Sequence, residues 1–143
     1  MNKPSLTADV IKIDVPADFR FLSLIRSCLN ALFDIVDDES PHKALAHNVE
    51  LAVYEVCTNI VQHAYAGING RILLNFSLDR TGKKITVSTE DTGRSFDLTG
   101  SNVQLPEPGS ERGYGLFLVH QLVDDVHYRS ESGTNVWRLT KRL

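Results

Sequence analysis

Apolar and polar positions alternate from Val10 to Val15, with Ile11 and Ile13 among the β-branched residues and Pro16 closing the run. That period of two predicts a half-buried strand over 10–16. From 17 to 36 the period changes: Phe21, Leu22, Leu24, Ile25, Cys28, Leu29, Leu32 and Phe33 recur at helical spacing. The acidic run Asp37-Asp38-Glu39 ends this helix, and Ser40-Pro41 opens another, serine as N-cap and proline in the first turn. The second helix, over 41–65, is the longest predicted element; Val49, Val53, Val56, Ile60 and Ala64 form its core stripe, and Gly67 and Gly70 stop it. Two strand-like runs, 71–78 and 83–90, are joined by Asp79-Arg80-Thr81-Gly82 and read as a hairpin. The stretch 97–110 carries Gly100, Pro106, Pro108 and Gly109 with few apolar anchors. It is long for a connection, and such loops are usually mobile or functional. A short helix over 114–123 and strands near 126–130 and 134–143 complete the order. The expected fold class is α+β, a two-layer sandwich with a mixed, mostly antiparallel sheet and its helices on one face.

Composition narrows this picture only slightly. At 143 residues, with no Ser/Gly/Pro-rich linker and no repeat, residues 1–143 are expected to form a single domain. A net charge of −3 excludes the uniformly basic surface of a general nucleic-acid binder, leaving only a local patch open. Cys28 and Cys57 are too few for a disulfide framework, lack zinc spacing, and sit among apolar neighbours as small hydrophobes. No apolar stretch opens the chain and no run reaches the ~18 apolar residues of a membrane span, so a cytoplasmic protein is expected. His42 and His47, near the acidic cluster, lack a shared register and a third ligand, so no metal site is expected there. Neither a G-x-S-x-G nucleophile turn nor a P-loop is present.

Three segments stand apart from plain packing. On the second helix Glu55, Asn59 and His63 are spaced i, i+4, i+8, and at 100° per residue they drift by only ~40° per step into one polar line. A solvated face gives the same pattern, although Asn is a poor helix former and His titrates near neutrality. Directly after a predicted strand comes Glu90-Asp91-Thr92-Gly93, which alone could be a turn. Finally Arg112-Gly113-Tyr114-Gly115-Leu116 leads into an amphipathic helix. A helix start with nearby glycines offers free N–H groups and a positive dipole end to phosphate, but it is also an ordinary loop-to-helix junction.

Taken together and in this order, Glu-x-x-x-Asn-x-x-x-His, Asp-x-Gly and Gly-x-Gly-Leu resemble the GHKL ATPases, the superfamily of gyrase-type ATPases, histidine kinases and mismatch-repair ATPases. The run Ala52 to Tyr65 is similar to the asparagine box of bacterial anti-sigma-factor serine kinases, and Gly113 to Val119 to their second glycine box. Gly133-Thr134-Asn135-Val136 resembles the family's last strand. The resemblance runs from about Val10 to the C-terminus and implies a Bergerat-type ATP-binding fold. It implies that Asn59 coordinates Mg²⁺ together with the triphosphate, and that Glu55 is the general base of phosphoryl transfer. His63 is placed near the phosphates or the lid. Asp91 would accept the adenine exocyclic amine, Gly93 would leave room for the ring, and the Thr134 hydroxyl would add a second contact. Gly113, Gly115 and the adjoining Leu116 would line the phosphates with backbone N–H groups, Arg112 adding charge. Residues 97–110 would be the lid. Arg26, in the first helix, matches an arginine that such kinases use on partners; a snorkelling surface arginine is the alternative. Ser95 departs from the pattern, standing where many superfamily members carry another glycine.

The activity so implied is that of an ATP- and Mg²⁺-dependent serine-protein kinase and anti-sigma factor. It would phosphorylate an anti-sigma antagonist protein and sequester a sigma factor or other regulator. The resembling kinases are dimeric, so a homodimer is implied too, with no direct nucleic-acid or membrane partner. The alternative is an ATP-binding module that switches partners with little or no kinase activity. A histidine-kinase catalytic domain is disfavoured because the chain has no second domain for a phosphoacceptor histidine.

Overall fold

The computed structural model describes residues 8–36, 43–79, 83–96 and 114–142. Strand β1 (Ala8–Pro16) is followed by helices α1 (Phe19–Val36) and α2 (Lys43–Asn59), and α2 runs on into a π-helical turn, Ile60–Tyr65. Strands β2 (Arg71–Asp79) and β3 (Lys84–Asp91), helix α3 (Tyr114–Leu122), and strands β4 (Asp125–Glu131) and β5 (Thr134–Arg142) complete the fold. The sheet has five strands in the order β1-β2-β3-β5-β4. All four pairings are antiparallel, so the expected mixture of directions is absent among the described strands.

Local chemistry explains the boundaries. Pro16 ends β1, and Asp18 caps α1 by accepting the Arg20 N–H at 2.9 Å, as an N-cap carboxylate does for the second helical residue. The β4–β5 hairpin turns through Ser132 and Gly133, both at positive φ (53° and 82°), the conformation of a two-residue type I′ turn. Along β2 and β3 every second residue is buried, so one sheet face carries Ile72, Leu74, Phe76, Ile85 and Val87 and packs under the helices. The α2 stripe Val49, Val53, Val56, Ile60 and Ala64 is buried throughout, as its periodicity predicts. On α1, Leu22, Ile25, Leu29, Leu32 and Phe33 are buried, whereas Leu24 is half exposed at 49%, since it lies off the stripe that faces the core.

The π turn changes what the helix does at its end. Ala66 N–H reaches the Val61 carbonyl, an i→i+5 bond at 3.3 Å, and Ala66 itself is left-handed. The wider turn brings Tyr65 inward, 5% exposed, where its hydroxyl donates to the Arg71 carbonyl at 2.6 Å and accepts the Thr92 N–H at 3.0 Å. Gly70 makes this possible: a Cβ there would lie 2.1 Å from the Tyr65 ring. One side chain thereby ties the end of α2 to the start of β2 and the end of β3.

Candidate functional site

Two groups of residues converge on α2 from opposite directions. In the last turn of α2 lie Glu55 and its final residue Asn59, both half buried. Gly115, in the first turn of α3, sits directly against them: a Cβ there would be 2.8 Å from Glu55 Oε2 and 3.8 Å from Asn59 Nδ2. Among the described residues no hydrogen-bond partner reaches the Glu55 or Asn59 side chain, and Asn59 does not cap the π turn that it precedes. The result is a carboxylate and an amide, available for new contacts, beside a helix start whose first N–H groups have no intrahelical acceptor. Leu116, next along, turns its side chain to the core. Arg112, Gly113 and the expected lid, 97–110, lie outside the described residues.

At the π turn that follows α2 the geometry is different. Asp91, the last residue of β3, is 3% exposed. Its Oδ1 accepts the Asn135 amide at 2.8 Å and the Gly93 N–H at 2.9 Å, whereas Oδ2 is buried with no partner. A carboxylate oxygen without a donor is costly in a protein interior, so this one is set for a ligand or water donor. Burial pushes the Asp91 carboxyl above its ordinary range, and the bonds from Asn135 and Gly93 oppose that rise. Cys57, on α2 above it, is pushed up to about 12 by burial and by the nearby Asp91 charge, which leaves the thiol inert. Gly93 packs against the π turn: a Cβ would lie 2.6 Å from the backbone carbonyl of Ala64, which accepts the Arg94 N–H at 2.7 Å. Glycine is required here by close approach, not by φ.

The sequence matches the family of histidine kinase-like ATPase domains over residues 15–141. The chain belongs to this family. Its similarity extends to the serine-protein kinase RsbW of Bacillus licheniformis, 33% identical over 95% of this chain and 87% of that one. The serine-protein kinase RsbW of Bacillus subtilis is 30% identical with the same coverage. Among solved structures, the RsbU and RsbW domains of a Mycobacterium tuberculosis protein superpose with a TM-score of 0.69 at 20% identity. That match covers 94% of this chain and 32% of the other. The histidine kinase domain of a blue-light activated kinase from Erythrobacter litoralis gives 0.58 at 21%, covering 87% and 60%. These two likenesses show the fold.

Within this histidine kinase-like ATPase domain the remaining expected residues fall in informative places. His63 is exposed, stands edge-on to Phe96 at 6.2 Å, and its carbonyl accepts the Arg94 guanidinium at 3.2 Å. Thr134 is half buried on the sheet face opposite Asp91; its neighbour Asn135 is the residue in register with Asp91. Arg26 donates to Glu50 Oε1 at 2.7 Å and stacks over the Tyr54 ring at 5.1 Å, so α1 and α2 are joined by an ion pair whose acid is 6% exposed.

Motif reading passed over several polar groups. Asn135, Tyr128 and Ser130 hold one another around Asp91, and Thr89 Oγ1 and Trp137 Nε1, which face each other in register, are buried without partners. A signal for Asn135 was available: Trp137 and Leu139 must face the core, so parity places 135 inward and 134 outward. Among the described residues no three His, Cys, Asp or Glu side chains converge on a metal position, and no helix is long and apolar enough to cross a membrane.

Proposed function

We propose that this chain is an ATP-dependent serine-protein kinase that also acts as an anti-sigma factor in a partner-switching system. Its substrate is a small anti-sigma antagonist protein, and its second partner is a sigma factor or comparable regulator. The observation that carries this reading is the seating of Gly115 against Glu55 and Asn59, which brings two motifs sixty residues apart in sequence into contact. It is supported by the 33% identity to a serine-protein kinase across nearly the whole chain.

The residues present fit a magnesium–adenine nucleotide. Asp91 offers one buried, unpaired carboxylate oxygen, the acceptor that an exocyclic amine needs; Gly93 serves by its close packing on the Ala64 backbone, which fills the space a side chain would take, and not by leaving room for the ring as expected. Asn59 offers a single amide oxygen, which suits a hard cation that keeps waters and takes its other ligands from phosphate oxygens. When bound, Mg²⁺–ATP supplies the transferable γ-phosphoryl group and the charge neutralisation around it. Gly113 and Gly115 give backbone N–H groups at the start of α3, with Leu116 following and Arg112 adding charge. Glu55 accepts the proton of the attacking serine hydroxyl, because it is the carboxylate on the same face one turn before Asn59. His63, on the rim beside Phe96, borders the entrance to the base site, and Thr134 supports the strand that carries Asn135. Arg26 holds α1 to α2 and presents the remainder of its guanidinium to a partner. The unit acts as one domain in the cytoplasm, with 97–110 as its lid and dimerisation as its expected assembly.

Labelled ATP incubated with the protein and small antagonist proteins from the same genome tests the reading. Transfer to a serine is expected, and Glu55→Gln is expected to cut transfer by about 10²-fold or more with ADP affinity unchanged. Binding without transfer selects the partner-switching module that uses nucleotide state alone. Wild-type turnover in Glu55→Gln removes the base from the mechanism.

A further inference from the structure

The base end of the site contains one residue to which the motifs assign no role. Asn135 is 1% exposed and stands opposite Asp91 in the β3–β5 register. Its amide nitrogen meets only acceptors: Asp91 Oδ1 at 2.8 Å, the Gly93 carbonyl at 2.9 Å and the Arg94 carbonyl at 3.5 Å. Its amide oxygen meets hydroxyls, Ser130 at 2.7 Å and Tyr128 at 3.3 Å. Carboxylate and carbonyl oxygens cannot donate, so only this amide orientation satisfies the set. The Tyr128 hydroxyl in turn accepts the Phe96 N–H at 2.8 Å. One side chain therefore fixes the Asp91 carboxylate and the backbone from Gly93 to Phe96 at once.

We propose that Asn135 is a positioning and specificity residue of the base site, holding Asp91 Oδ1 so that Oδ2 alone faces the ligand as an acceptor and selects a purine carrying an exocyclic amine over one carrying a carbonyl. The inference rests on the reading that Asp91 receives that amine. Its chemistry lies in the fate of the carboxylate once the clamp is gone. With Asn135 removed, Oδ1 keeps only the Gly93 N–H, the buried carboxylate loses a donor that favours its ionised form, and protonation becomes easier. A protonated Oδ2 donates instead of accepting, which suits a 6-oxo purine and repels a 6-amino one. Selectivity should accordingly depend on pH, and removal of Asn135 should move that dependence upward.

Other groups around Asp91 are accounted for. Cys57 on α2 and Tyr128 on β4 are both pushed up by burial, so neither ionises in the mildly acidic to mildly basic range. His63 and Arg94 lie exposed on the rim, and His63→Gln takes the imidazole out of the comparison.

The test is calorimetric titration of ADP and of IDP, its 6-oxo counterpart, into the full chain across a pH series. Wild type is expected to prefer ADP, and the preference to fade as pH falls. Asn135→Leu should lose about tenfold or more in ADP affinity with a much smaller change for IDP, as loss of a hydrogen bond to a charged group does. Its fade should sit at higher pH than in wild type and stay there when combined with His63→Gln. A folded Asn135→Leu with the wild-type ADP-to-IDP ratio and profile overturns the inference while leaving the nucleotide site intact. If that variant does not fold, Tyr128→Phe/Ser130→Ala, which removes both groups orienting the amide, should reduce the ratio about threefold; an unchanged ratio overturns it equally. Wild type that binds both nucleotides alike, or neither, defeats the base-site reading itself, and this inference with it.

Discussion

The two groups of residues along α2 and its π turn are built on different principles. At the Asp91 end the carboxylate is held on one side: Oδ1 takes two donors, Asn135 satisfies both ends of its amide, and Oδ2 is left without a partner. Around Glu55 and Asn59, no hydrogen-bond partner reaches either side chain among the described residues, and a glycine, Gly115, packs against the pair. One end is rigid and buried in a sheet; the other is two helices meeting over an open side-chain pair. This division suits a site that must recognise one fixed shape and also handle a group that changes bonding during reaction. Preorganisation costs little where nothing moves, and freedom is kept where charge and distance change.

Substitutions can break that contrast, and the largest effect is expected at Gly93. Alanine there would place a methyl 2.6 Å from the Ala64 backbone, and backbone cannot yield cheaply. A loss of about 3 kcal/mol is expected, lowering the melting temperature by roughly 10 °C. Melting within two or three degrees of wild type would show that the rigid end is less rigid than described.

Asp91→Asn should act oppositely on stability and binding. The raised carboxyl means that its stabilising contribution is complete below the unfolded value of about 3.9 and is lost as pH rises through the folded one. At neutral pH the ionised group is therefore a standing cost in the free protein. Replacing it should raise stability by about 1 kcal/mol at neutral pH and weaken ADP binding by about 30-fold. The stability difference should vanish in acid, which a melting series against pH would measure.

Gly115→Ala sharpens the contrast from the other end with the smallest expected effect. The added methyl meets Glu55 Oε2 at 2.8 Å, but that oxygen is the tip of a flexible side chain and can move. Helix propensity favours alanine by about 1 kcal/mol, so stability should hold or rise slightly. Phosphoryl transfer should fall by about tenfold through displacement of Glu55. A stability loss comparable with Gly93→Ala would mean that the two ends are equally fixed.

Much of this was legible before any coordinates. Strand and helix positions follow from periods of two and 3.6, and the core stripe of α2 is buried at each expected place. Asp91, Gly93, Glu55, Asn59 and Gly115 could be picked out because their spacing is local to single segments. What escaped depends on contacts between segments. The π turn lies in Ile60–Tyr65, a run with neither proline nor glycine to mark it, and it is accompanied by the Tyr65 hydroxyl reaching β2 and the residue after β3. Asn135 was overshadowed by Thr134 because motif reading stops at one position, whereas pairing register decides which of two neighbours faces inward. Glu50 reads as one more helix-surface acid until Arg26 is seen to cover it.

The Tyr65 latch gives α2 a metrological role. Glu55 marks one graduation on this rod, and Ala64 and Tyr65, fastened to Arg94 and Thr92, mark another. Because both graduations lie on one continuous stretch of backbone, the distance between Glu55 and the Ala64–Tyr65 anchor is measured by helix length and not by the connection between β3 and α3. A residue added or removed between Glu55 and Ala64 would shift one mark by ~1.5 Å and turn it by ~100° against the other. Length changes in the connection between β3 and α3 would leave that scale unaltered.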